Sequence, residues 1–248
     1  MKTLREILRD ADDRHVAIGH FNVSDLAALK AITGSARELG APVLIGVSEG
    51  EREFIGVREI RALVSAIRDA YDFPIFLNAD HTHSIEKAKE AAEAGFDEIL
   101  FDGSKLPFEE NVRQTKAAVE IIKSINPGIL IEGEIGYIGS LSEIVETIPE
   151  GSGLGGANLT TPEEAKQFVA ETKIDILAPA VGNMHGLLKQ MAEGTLHKRL
   201  DIERIKTIHD ATNIFMTLHG GSGTADEDFV AAIKVGITII HVNTELRI

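Results

Sequence analysis

Among the nine histidines of the chain, His81, His185 and His219 share a setting. Each follows an apolar run: His81 directly after Asp80, His185 within Val181-Gly-Asn-Met-His-Gly186, and His219 within Leu218-His-Gly-Gly-Ser-Gly223. Three neutral imidazoles around an open coordination position are the ligand set of a catalytic zinc. A lone histidine is ordinarily a satisfied structural residue, and His15, His197 and His209 are assigned to that class. Asp80 adjoins His81, so it is poorly placed to bind the same ion and well placed to exchange a proton with an oxygen beside it. Its blander role would be to orient a histidine. Glu132 and Glu134 are two residues apart, so on a strand both face the same way. Facing inward they would need cations, and a monovalent cation is the second ion considered beside Zn2+. Gly220-Gly221-Ser222-Gly223 offers backbone N–H groups suited to a phosphate, although such a run on its own is often just a turn. Lys189, four residues past His185, would supply local positive charge.

Such scattered residues need a scaffold that converges them. Apolar, β-branched runs recur at Val16–Asn22, Pro42–Ser48, Pro74–Asp80, Glu98–Ser104, Gly128–Gly136, Ile176–Gly182, Ile214–Gly220 and Thr238–Thr244. They are continuous rather than alternating, which predicts buried parallel strands. Helical spacing fills Ser24–Leu39, Ser84–Ala94, Pro107–Ser124, Thr161–Thr172, Asp201–His209 and Ala225–Val235. The alternation predicts one (β/α)8 TIM barrel over residues 1–248, in preference to an open doubly wound sheet. Barrel chemistry sits at the carboxyl ends of the strands, and here those ends carry Asn22, Ser48, Asp80, Asp102, Glu134, His185, His219 and Asn243. Loops after the seventh and eighth strands are the usual phosphate cradle of this fold. Glycines mark Glu146–Thr160 as a long, mobile loop. No eighth outer helix follows the last strand in this chain. Ile237, Ile239 and Ile240 therefore predict a cover from a further C-terminal segment or from a neighbouring subunit of a homodimer.

Composition narrows the function classes. In 248 residues, 25 Lys and Arg face 39 Asp and Glu, a net charge of −14 that repels nucleic acid and anionic lipid. Cysteine is absent, which excludes thiolate metal sites and fits a reducing, cytoplasmic setting. The opening Met-Lys-Thr-Leu-Arg-Glu has no signal-peptide pattern, and no run approaches the roughly 18 apolar residues of a membrane span.

Seven motifs in order give the chain a family resemblance: Ala17–Asn22, Asn78-Ala-Asp-His81, Phe101-Asp-Gly-Ser-Lys-Leu-Pro107, Ile131-Glu-Gly-Glu-Ile-Gly136, Val181–Gly186, Leu218–Gly223 and Asn243-Thr-Glu-Leu-Arg247. The chain resembles the class II, metal-dependent ketose-bisphosphate aldolases that act on fructose or tagatose bisphosphate. The resemblance implies zinc on His81, His185 and His219, with Glu134 a buried carboxylate at a metal position and Asp80 the acid/base group. It implies substrate phosphate around Gly186, Lys189, Gly220, Ser222 and Thr244, with Asn22 and Ser48 approaching from the first two strands. It implies a phosphorylated-sugar substrate, fructose 1,6-bisphosphate ahead of tagatose, and a dimeric or tetrameric homo-oligomer.

Two departures from the family pattern stand out. Its last strand usually carries a lysine and then an asparagine, where this chain has Ile239 and His241. Its mobile loop usually reads Gly-Gly followed by acidic residues, where this chain has Gly139-Ser-Leu-Ser-Glu143, leaving Glu143 to move the triose proton from one place further on. His241 would either titrate against the substrate between about pH 5.5 and 7.5 or merely fill volume. A zinc-dependent hydrolase and a non-enzymatic metal- and phosphate-binding barrel remain the competing classes. Exchange of the triose phosphate C3 proton with solvent separates an aldolase from both.

Overall fold

The computed structural model describes residues 2–139, 144–145, 159–193 and 195–246. Parallel strands follow one another around a closed barrel: β1 (Ile18–Asn22), β2 (Val43–Val47), β3 (Ile75–Thr82), β4 (Glu98–Phe101), β5 (Leu130–Ile135), β6 (Ile176–Pro179), β7 (Phe215–Leu218) and β8 (Ile237–Val242). The barrel closes where β8 pairs with β1, setting His20 opposite His241.

Side chains alternate across each strand, so every second residue enters the barrel. On β1 these are Ile18, His20 and Asn22, on β3 Phe76, Asn78 and Asp80, and on β5 Leu130, Glu132 and Glu134. The interior thus grades from an apolar floor to a polar mouth. Outward residues such as Ile75, Leu77 and Ile131 join the main core beneath the helices.

The helices are α1 (Leu4–Asp13), α2 (Leu26–Leu39), α3 (Glu49–Ile55), α4 (Val57–Tyr71), α5 (Ile85–Ala94), α6 (Phe108–Ile125), α7 (Pro162–Thr172), the short α8 (Lys189–Ala192), α9 (Ile202–Thr212) and α10 (Asp226–Lys234). Helix α1 starts with a capping box between Thr3 and Glu6 and plugs the floor: Leu4, Ile7, Leu8 and Ala11 pack with Leu44, Phe76, Leu130, Ile176 and Ile239. A two-residue strand, Ile144–Val145, pairs with Leu187–Leu188 outside the barrel.

Several expectations change. Ile239 does not face outward, because it meets α1 on the floor, while α10 lies against β8. A short 3-10 turn, Thr244–Leu246, follows β8, and no eighth outer helix occurs among the described residues. The helices α1, α3 and α4 were not expected from the sequence. Strand four stops at Phe101 rather than Ser104, since the Asp102 carboxylate accepts from the Ser104 N–H and turns the chain. Most of Glu146–Thr160 lies outside the described residues. No helix among the described residues is long and apolar enough to cross a membrane.

Candidate active site

At the end of β3 the chain adopts a conformation that its side chains resist. His81 has φ +40°. For a non-glycine residue this costs about 1–3 kcal/mol and persists only where the surroundings over-determine it. Arg52 of α3, 3% exposed, supplies that constraint. Its Nη1 donates to the carbonyls of Val47 and Asp80, the latter at 3.1 Å, and its Nη2 donates to Thr82 Oγ1 at 2.9 Å. Both neighbours of His81 are thereby pinned, and the ring is directed into the mouth.

Three imidazoles meet there. The ring centroids of His81, His185 and His219 are 4.8, 5.0 and 5.5 Å apart. His81 Nδ1 is 2.8 Å from Asp102 Oδ2, and Asp102 is steadied by the Ser104 hydroxyl at 2.6 Å. His219 Nε2 is 2.8 Å from Glu132 Oε1, which leaves His219 Nδ1 without a partner. His185 Nε2 and both Glu134 oxygens are likewise buried without a hydrogen bond, Glu134 Oε2 lying 3.9 Å from His81 Nδ1. One donor atom from each of His81, Glu134, His185 and His219 lies within 4.8 Å of the others. Orphaned polar atoms this deep are costly, and a divalent cation would satisfy them together. Imidazole nitrogens with a carboxylate oxygen suit zinc.

The electrostatics agree with that donor set. Burial opposes charge on His81, but Asp80, Asp102 and Glu134 outweigh it and push the ring up to about 10. Carboxylates around this ring therefore demand a positive charge, and a metal ion competes with the proton for the role. Burial first, then His81, pushes His219 down to about 3, and the same causes drive His185 well below the ordinary range. Both rings are neutral, the form in which imidazole binds metal. Asp80 is the opposite case. Burial would raise it, yet His81, with His20 and His219, holds its carboxyl below the usual carboxylate range.

Asp80 Oδ2 accepts from Asn22 Nδ2 at 2.9 Å, while Oδ1 has no hydrogen bond and lies 3.9 Å from His81 Nε2. Asn22 also donates to Glu51, which accepts the Ser48 N–H at 2.6 Å. Ser48 is the N-cap of α3, so its local role is satisfied by structure as well as by its place in the mouth.

Beneath this layer, His20 and His241 stack with centroids 3.4 Å apart and planes at 1°. A Cβ on Gly46 would come within 2.1 Å of the His20 ring, so glycine is needed there. Burial, then His20 and His219, drives His241 well below the ordinary histidine range. That shift favours the neutral ring, which stacks on His20 at the wall of the cavity. Glu98 lies deeper still, where burial and then Glu132 push it well above the carboxylate range.

The mouth opens into a cavity of about 410 Å3 lined by Asn22, Ser48, Asp80, His81, His185, Gly220, Ser222, His241, Asn243 and Thr244. Asp102, expected at a strand end, joins them, as do His83, Glu49 and Gly50, which were not singled out as site residues. Glu134 and His219 lie buried below the lining. Lys189 stands apart, its side chain 77% exposed and 4.0 Å from Glu193. Gly186 turns its carbonyl to the buried Lys198 rather than lining the cavity. Glu143 lies outside the described residues. His20 and Glu98 were missed because an inward residue in mid-strand is revealed only by register. Lys198 was missed because its partners are backbone carbonyls, which leave no mark in the sequence.

A closed parallel barrel with this polar mouth defines a (β/α)8 protein, and comparison with known proteins places it further. The family model for fructose-bisphosphate aldolase class-II matches residues 2–248. The chain belongs to the class-II fructose-bisphosphate aldolase family. Fructose-bisphosphate aldolase from Geobacillus stearothermophilus is 35% identical over 249 residues, 99% of this chain and 82% of that protein. Its namesake from Mycoplasma pneumoniae is 35% identical over 248 residues, 99% of this chain and 80% of the relative. Among solved structures, the YdjI aldolase from Escherichia coli K12 superposes with a TM-score of 0.82 at 31% identity, covering 98% of this chain and 82% of that one.

Proposed function

We propose that this aldolase reversibly cleaves fructose 1,6-bisphosphate to dihydroxyacetone phosphate and glyceraldehyde 3-phosphate, with zinc held by His81, His185 and His219 and with Glu134 beside it. The observation that carries this reading is the Asp80 carboxylate: one oxygen is fixed by Asn22, and the other makes no hydrogen bond and lies 3.8–3.9 Å from the rings of His241 and His81 in the same mouth. Bound zinc supplies Lewis-acid polarisation of the triose carbonyl, which stabilises the charge released on its side of the breaking bond.

Asp80, ionised, takes the proton from the C4 hydroxyl as the C3–C4 bond breaks. In condensation it returns that proton to the aldehyde oxygen. Asn22 keeps the working oxygen oriented. The loops at Gly220–Ser222 and Asn243–Thr244 receive a phosphate, with Gly186 in support. Ser48 approaches the sugar from the second strand, and the neutral His241 packs beneath the triose. Glu143 would move the proton at the triose carbon. The protein works as a single-domain, cytoplasmic homo-oligomer, supported by the lack of cysteine and by Phe54 and Leu39, which are 82% and 80% exposed.

Zinc-loaded protein supplied with fructose 1,6-bisphosphate should release triose phosphate and exchange the C3 proton of dihydroxyacetone phosphate with solvent. Full cleavage in a strong chelator, borohydride trapping of a lysine adduct, or absence of both reactions would refute the proposal. Faster cleavage of tagatose 1,6-bisphosphate would move the substrate to the C4 epimer and leave the mechanism in place.

A further inference from the structure

Lys198 lies in an irregular segment between α8 and α9, and it is fully buried. A buried ammonium ordinarily pairs with a carboxylate. This one makes no ion pair among the described residues. Its Nζ donates instead to four backbone carbonyls: Gly186 at 2.8 Å, Gly220 at 3.0 Å, Ser222 at 2.6 Å, and Met184. Two of these carbonyls flank His185, and the other two flank Gly221. One cation thus clasps both loops that meet at the proposed phosphate end of the cavity.

The cage has a chemical signature. An ammonium has three N–H donors, so four acceptors oblige it to share one. A shell of carbonyl oxygens replacing water is how proteins hold a bare potassium ion. Burial pushes the amine down to about 7, but a cage made only of acceptors is satisfied by the protonated form alone. A neutral amine would turn its lone pair on a carbonyl oxygen. The backbone of Lys198 is tied to the same loop: its N–H donates to the Gly223 carbonyl at 2.8 Å, and its carbonyl accepts from the Ala225 N–H at 3.3 Å. The two loops are also in contact, since a Cβ on Gly220, at φ +61°, would lie 2.3 Å from the Met184 oxygen.

We infer that Lys198 is a positioning residue of the phosphate subsite: its ammonium is a tethered monovalent cation that clasps the His185 and Gly221 loops and places fixed positive charge beneath them. The site therefore needs no free monovalent cation. This inference rests on the phosphate reading given above. It also places the local cation expected of Lys189 within the fold, in a protein whose net charge of −14 opposes anion binding.

The test measures binding of inorganic phosphate to the zinc-loaded protein by calorimetry. Ionic strength is held fixed, with either potassium or tetramethylammonium as the sole monovalent cation. Wild-type affinity should be the same in both salts. Lys198→Ala should bind phosphate about 10- to 100-fold more weakly in tetramethylammonium, the range for a lost supporting partner, and should recover in potassium or ammonium. Its melting temperature should also rise with potassium and not with tetramethylammonium, because a cation that binds the emptied cage stabilises the folded state.

A wild-type protein that needs potassium would overturn the inference. So would a folded Lys198→Ala variant that neither potassium nor ammonium restores, since that result marks a simple structural staple. Should the variant not fold, the wild-type comparison decides alone. Failure of wild type to bind phosphate in either salt would refute the phosphate reading and with it the role of Lys198 there. The melting series, which reads the cage without phosphate, distinguishes that failure from failure of the cage.

Discussion

Replacing Arg52 by alanine removes the group that holds His81 in its left-handed conformation. The side chain makes hydrogen bonds to two carbonyls and one hydroxyl at 3% exposure, so its loss strands acceptors on both sides of His81. Each charge-assisted bond contributes about 1.5–3 kcal/mol, and water entering the cavity would recover part of the sum. A net destabilisation of about 3–5 kcal/mol is expected, as for other broken buried charge networks. The local effect is more specific. Freed from its clamp, His81 relaxes out of φ +40°, and metal binding must then reimpose about 1–3 kcal/mol of strain. Zinc affinity should fall about 10- to 100-fold, as when an orienting partner is lost. Zinc titration against a competing chelator measures the change, with circular dichroism reporting whether the barrel is intact. Thr82→Val, which removes the Nη2 contact together with the hydroxyl's own bond to the Ala79 carbonyl, should show a smaller loss of the same kind. A folded Arg52→Ala protein with wild-type zinc affinity would refute the clamp.

Asp80→Asn should retain zinc and triose phosphate but lose C–C cleavage by about 10²-fold or more, with exchange of the triose C3 proton less affected; unchanged cleavage would reduce Asp80 to an orienting residue. Chelation of zinc should abolish cleavage and leave far-UV dichroism unchanged, because the floor and outer core contain none of the ligands; alanine at His81, His185 or His219 should each reproduce that result. Asp228 is held below its ordinary 3.8 by its hydrogen bonds with Arg199, opposed by partial burial and helped by the Leu200 N–H. Its stabilisation is complete above that ordinary value and is lost as pH falls through the lower folded one, so Asp228→Asn should flatten the acid limb of a melting-temperature profile.

What the sequence disclosed follows from how each feature is encoded. Barrel strands are buried on both faces, so β2 appears as the unbroken run Val43–Val47 and needs no register to be recognised. Strand ends were equally plain: Asp80-His81 and His219-Gly220 interrupt apolar runs at the places where a barrel exposes its mouth. The floor was not plain. Ile239 and Ile240 are alike in type, and only the alternation fixed by pairing with β7 and β1 sends the first inward to α1. Helix α3 was hidden because Glu49–Ile55 is short and polar, and Gly56 separates it from α4. Arg52 and Lys198 escaped for a common reason, since both serve chiefly backbone carbonyls, and a carbonyl belongs to every residue.

The plug at the floor has a consequence for how the chain folds. The apolar face of α1, with Leu4, Ile7, Leu8 and Ala11, docks on residues from strands as late as β8, where Ile239 completes its seat. The helix that precedes the first barrel strand is thus seated only by the eighth. Until that strand arrives, its apolar face stays open to water or to a chaperone. Contacts between α1 and a strand more than two hundred residues later raise the contact order, which slows folding. Closure of β1 on β8 and seating of α1 both wait for β8, so the barrel commits to its final form only once that strand is in place.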